Sequence, residues 1–139
     1  MEKYIGLKMV EAERKVNWVD NPINRQTVGW NEGYKVICED RCELWIDKET
    51  FEKTYRRVDN MSFGYAIEAM KKGLAACRRE WLGKKMWICL YIPIDNMDFK
   101  DGTSFPQAPY IVMKIGDNKI VPWDISQADI LADDWQIVE

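Results

Sequence analysis

The chain has 139 residues, 47% apolar and 31% charged, enough for a buried core and for one or two small domains of ordinary globular composition. A net charge of −3 offers no general attraction for DNA or RNA. No apolar run approaches the ~20 residues of a membrane span. Histidine is absent, which removes the usual general base near neutral pH, the Ser-His-Asp and Cys-His nucleophiles and His-ligated zinc.

The N-terminal segment MEKYIGLK lacks the apolar core of a signal peptide, so a cytosolic location is expected. Tyr4–Glu13 predicts a strand, with Ile5, Leu7 and Met9 alternating against Gly6 and Lys8. From Val16 to Glu32, Asn-Pro at 21–22 and Gly29 predict an irregular connection. Gly33–Ile37 and Glu43–Ile46 predict a hairpin turning at Glu39-Asp40-Arg41. Asp47 caps a short helix, Lys48 to Arg56, which brings Phe51 and Tyr55 onto one face. The charged stretch KTYRRVDN ends this module, so residues 1–58 are expected to form a strand-hairpin-helix extension.

Residues 61–139 carry a different pattern. Ser62 is a suitable N-cap for a helix over Phe63–Lys72, with Phe63, Ala66, Ile67 and Met70 on its apolar face and Gly73 as its left-handed stop. Leu74–Arg79 and Lys85–Pro93 predict strands around a turn at Leu82-Gly83-Lys84. The second is apolar on both faces, as a central strand or one covered by a partner chain would be. Asp95 to Ala108 predicts a long loop. Tyr110–Ile115 and Lys119–Val121 predict a hairpin around Gly116-Asp117-Asn118. Ser126 and Asp129 form a capping signature for a helix from Gln127 to Ala132, and Trp135–Val138 predicts a last strand. The fold class expected is α+β: a small antiparallel-sheet domain with two short helices, preceded by the extension.

The chemistry suggested is binding. A flat heteroaromatic base is held by aromatic faces and by hydrogen bonds at its edges. Trp81, Trp87 and Trp123 can supply faces, and Ser126, Gln127 and Asp129 can supply the polar groups. Arg78, Arg79, Lys84 and Lys85 surround the turn that carries Trp81 and suit a phosphate. Each feature has a second reading: indoles pack cores, Ser126 and Asp129 cap a helix, and basic residues solvate a sheet edge. No Gly-rich phosphate loop is present. The cysteines at 38, 42, 77 and 89 match zinc spacings poorly and read as free thiols, so neither a metal nor a cofactor is expected.

The stretch MSFGYAIEAMKKGLAACRREWLGKKMWICLY, then APYIVMK, then IVPWDISQADILADDWQIV, resembles the Thoeris anti-defence 2 family of phage proteins over residues 61–138. Its closing motif, P-W-x-x-S-Q-x-D-x-L-x-x-D-W, stands at 122–135. The resemblance implies a small α+β homo-oligomer, typically a tetramer, with ligand pockets between protomers. It implies a non-enzymatic sponge in the host cytoplasm, withholding a cyclic ADP-ribose isomer, glycocyclic ADP-ribose, and in some members cyclic dinucleotides. Trp81, Trp87 and Trp123 match the family's aromatic pocket positions, and Ser126, Gln127 and Asp129 its polar motif. Two rivals stand beside this reading. One is a nucleotide hydrolase using Asp124, Asp129 or Asp133, for which no base–nucleophile pair is visible. The other is a protein-protein adaptor whose indoles form an interface.

Overall fold

In the computed structural model, residues 1–3, 8–20 and 22–138 are described. The fold is α+β and divides into two compact units, Met1–Arg56 and Arg57–Glu139.

In the first unit, strands β1 (Glu11–Asp20), β2 (Thr27–Ile37) and β3 (Glu43–Asp47) form an antiparallel sheet in that order, followed by helix α1 (Lys48–Thr54). The register sets Ala12, Arg14, Val16 and Trp18 opposite Val36, Tyr34, Glu32 and Trp30, so these share one face with Leu44 and Ile46. Helix α1 covers part of that face. Phe51 stacks on Tyr34 at 4.0 Å and on Tyr55 at 4.8 Å, the Tyr34 hydroxyl donates to Glu52, and Val36 is fully buried. Asp47 caps α1 by accepting the Thr50 N–H at 3.0 Å. Glu32 accepts from Arg14 at 3.0 Å and Lys48 at 3.1 Å. On the opposite face, Trp45 lies across Gly33.

Two expectations are corrected here. The irregular connection expected over 16–32 is largely two strands of a long ribbon, with Pro22 in the turn between them. The first strand starts at Glu11 rather than Tyr4; of the expected Tyr4–Glu13 element, residues 4–7 lie outside the described residues and Lys8–Val10 are not in a strand. Antiparallel backbone pairing holds the polar sequence EAERKVNWVD extended where its alternation is weak.

In the second unit, helix α2 (Phe63–Lys71) packs against an antiparallel sheet of five strands: β4 (Ala75–Arg78), β5 (Trp87–Tyr91), β8 (Tyr110–Lys114), β9 (Ile120–Pro122) and β10 (Trp135–Val138). Their spatial order is β10-β4-β5-β8-β9. Phe63, Ala66 and Met70 of α2 meet Ala76, Ile88 and Trp135 of the sheet in one core. Ser62 stands at the N-cap without a side-chain cap bond, and Gly73, at φ 87°, ends the helix. The turn expected at Leu82-Gly83-Lys84 is a 3-10 helix, Arg79–Lys84. The stretch from Asp95 to Ala108 contains a short pair of strands, β6 (Met97–Asp98) and β7 (Ser104–Phe105), closed by Asp101 accepting from Thr103. Helix α3 (Gln127–Ile130) lies between β9 and β10 in the chain. The outer edge of β10 pairs with the chain before α2, where the Met61 and Trp135 backbones exchange bonds of 2.7 and 3.0 Å.

Two predictions test the first unit. A Cβ at Gly33 would stand 2.4 Å from a Trp45 ring carbon and 2.5 Å from the Ile46 carbonyl oxygen. Gly33→Ala therefore lowers the stability of this unit in urea unfolding by about 1–3 kcal/mol; an unchanged midpoint would refute the contact. Hydrogen bonds from Lys48 and Arg14 hold the Glu32 carboxyl below its ordinary range. Its stabilisation is full above the unfolded-state pKa and is lost as pH falls through the depressed one. The stability difference between the parent and Glu32→Gln thus shrinks through the acid range below pH ~4, and a difference independent of pH would contradict it.

Candidate functional site around helix α3

The C-terminal motif folds as a short, heavily cross-linked arch. Trp123 leaves β9 with its N–H bonded to the Ile111 carbonyl at 3.1 Å. Ser126 then caps α3, its Oγ accepting the Asp129 N–H at 3.1 Å and donating to the Asp129 carboxylate at 2.8 Å. The other Asp129 oxygen meets Arg78 Nη1 at 2.5 Å, while Arg78 Nε donates to Asp134. These side chains are only 14% (Arg78), 17% (Asp129) and 28% (Asp134) exposed. Hydrogen bonding to Asp134, against some desolvation and with help from Asp129, raises the guanidinium pKa further, so Arg78 stays charged. One cation thus clamps both ends of the arch.

Under the arch lies an aromatic cluster. Trp135 is fully buried, with Phe63 and Trp81 at 5.3 Å and Trp123 at 5.9 Å, and its indole N–H donates to the Asp129 carbonyl at 2.8 Å. Trp81 is 6% exposed and meets Trp123 edge-on at 6.4 Å. Trp123 is half-buried, and Ser126 and Gln127, three and four residues further along the chain, are exposed.

Of the residues singled out from sequence, Trp81, Trp123, Ser126, Asp129 and Arg78 are therefore joined by contacts into one assembly. Trp87, in β5, is half-buried and packs against the same core as Trp81 and Trp123. Lys84, at the end of the 3-10 helix, is exposed. Arg78, considered for phosphate, is occupied by two carboxylates. Sequence reasoning missed Asp134, and also Trp135 and Phe63 as the floor of the cluster. Trp135 carried a signal, since it closes the same motif; the Arg78–Asp134 pair spans 56 residues and carried none. Among the described residues no group of three or more Cys, Asp or Glu is placed to hold a metal ion, and no helix is long and apolar enough to cross a membrane.

Comparison with known proteins places this arch within a recognised domain. Residues 61–138, more than half of the chain, match the Thoeris anti-defense 2-like domain. The chain belongs to the Thoeris anti-defense 2-like family. A relative, Thoeris anti-defense 2 of Bacillus phage SP01, is 38% identical over 84 residues, covering 56% of this chain and 94% of the relative. The Thoeris anti-defense 2-like match holds every candidate site residue and the whole five-stranded sheet, whereas the β1–β3 unit precedes it.

Removing the clamp should unfold the arch. Arg78→Ala leaves two largely buried carboxylates facing each other and costs about 3 kcal/mol in urea unfolding, whereas Asp134→Asn, which keeps the Asp129 pair, costs less. Equal costs for the two would refute the two-ended clamp.

Proposed function

We propose that this protein is a phage anti-defence sponge acting in the host cytoplasm, which binds a cyclic nucleotide immune signal and withholds it uncleaved from its effector. The signal favoured is glycocyclic ADP-ribose made by TIR-domain proteins, with cyclic dinucleotides as further guests. The observation that carries the reading is the family match over the domain that holds the half-buried Trp123 of the aromatic cluster and the exposed Ser126 and Gln127 that follow it. A flat base needs one open aromatic face and polar groups at its rim, and this edge supplies both.

Each residue has a role in this proposal. Trp123 stacks on the base, and Trp81 braces it from beneath. Ser126 and Gln127 bond ribose hydroxyls or base edges, with Asp129 holding Ser126 in place. Lys84 faces phosphate, while Arg78 keeps the arch closed. Trp87 supports the cluster from β5, while Tyr91 and Tyr110 pair at the end of β5 and β8 on a surface that a homo-oligomer, a tetramer in this reading, would cover. Pockets between protomers would then be lined from both sides.

Sequestration needs affinity rather than turnover. A nanomolar dissociation constant corresponds to about −12 kcal/mol, within reach of stacking and hydrogen bonds in a dry pocket. No acid–base pair is required, in keeping with a chain that lacks histidine.

Titration calorimetry against glycocyclic ADP-ribose, cyclic ADP-ribose and a set of cyclic dinucleotides tests the proposal. Tight binding of at least one is expected, weakened at least tenfold by Trp123→Ala and less by Lys84→Ala. Absence of binding across the panel would overturn it in favour of a protein-protein adaptor.

A further inference from the structure

The β2–β3 hairpin places two thiols face to face. Ile37 and Glu43 form the last pair of the ladder, and the next rung is Cys38 with Cys42. The Cys38 N–H donates to the Cys42 carbonyl at 3.0 Å, the Arg41 N–H donates to the Cys38 carbonyl at 2.9 Å, and Arg41 takes a left-handed φ of 63°. This is a three-residue loop closed by a turn and a left-handed residue, a common way to end a hairpin. Asp40 steadies it by accepting the Cys42 N–H at 3.0 Å.

Residues directly opposed across antiparallel strands have Cα atoms ~4.5–5.5 Å apart, and disulfides bridge Cα separations of ~4.4–6.8 Å. Side chains directly opposed in such a pair also project from the same face of the sheet. The backbone therefore already has the span a disulfide needs. Cys42 is exposed and Cys38 half-exposed, so an oxidant can reach them. The other two cysteines are unlike them: Cys77 is buried, and burial raises the thiol pKa of both Cys77 and Cys89, which slows their oxidation.

We infer that Cys38 and Cys42 are a dithiol modification site that closes to a reversible intramolecular disulfide across the β2–β3 hairpin when the thiol pool is oxidised. With glutathione disulfide as oxidant, one cysteine thiolate attacks it and forms a mixed disulfide, releasing one glutathione. The second cysteine thiolate attacks the protein sulfur of that mixed disulfide, and the other glutathione leaves. Two protein thiols become one disulfide, one glutathione disulfide becomes two glutathione thiols, and the two protons pass to them. The loop enclosed is short and the bond exposed, so its formation is readily reversed by excess thiol.

The test equilibrates the full-length chain in glutathione buffers of graded oxidation, quenches with acid, alkylates in denaturant and digests with trypsin. Cleavage after Lys35, Arg41 and Lys48 separates the two cysteines, so a disulfide leaves Val36–Arg41 joined to Cys42–Lys48. The expected result is that joined pair, with alkylatable thiols falling from four to two and Cys77 and Cys89 both still alkylated. Because the fold presents the thiols, the folded chain should form the link at a glutathione ratio at least tenfold more reducing than the urea-unfolded chain requires. In Cys42→Ser, Cys38 should carry glutathione and no joined pair should appear. Separate glutathione adducts on both cysteines in the parent, links between chains, or equal ratios for folded and unfolded protein would each overturn the inference.

Discussion

The indole of Trp135 is the point at which the second unit is tied together. Its ring touches Phe63 of helix α2, Trp81 of the 3-10 helix and Trp123 at the end of β9. Its N–H is satisfied by the Asp129 carbonyl of α3, and its backbone pairs with Met61 on one side and Arg78 on the other. A buried tryptophan is worth several kcal/mol only when the indole N–H finds a partner, and here the partner belongs to the element that most needs anchoring. Helix α3 has four residues, too short to persist alone. It exists because Ser126 caps it, Arg78 clamps it and Trp135 holds its last turn from below.

This arrangement has a consequence for recognition. A binding edge built on an isolated loop would lose entropy each time it closed on a guest. Here the order is already supplied by folding, so more of the contact energy is left for affinity. The clamp also settles a division of labour among charged groups. Arg78 and Asp129 neutralise each other within the arch, while Ser126, Gln127 and Lys84 are exposed, as are Asp124 and Asp133.

Much of this unit was legible in the sequence because its signals are local. The S-x-x-D cap, the Gly73 stop, the alternation of β5 and the hairpin at Gly116-Asp117-Asn118 each lie within a few residues, and each appears where expected. The Arg78 clamp was not legible, since nothing within one strand announces carboxylates 51 and 56 residues away. In the first unit the error had another cause. Pro22 and Gly29 do punctuate the chain, but Pro22 falls in the turn of an antiparallel ribbon, which tolerates Gly29 within a strand. Its directly opposed Trp18 and Trp30, both exposed, were hidden within a stretch read as irregular. The short β6–β7 pair, two residues a side, leaves no periodicity to detect.

The proposed function rests on a rigid aromatic edge that holds its guest without altering it. The most direct measurement incubates the protein with glycocyclic ADP-ribose, removes unbound nucleotide by gel filtration, denatures the complex with heat and analyses what is released by mass spectrometry. For a sponge, the nucleotide co-elutes with the protein and is recovered intact and in full. Recovery of an opened or hydrolysed product, or elution of all the nucleotide apart from the protein, would contradict it.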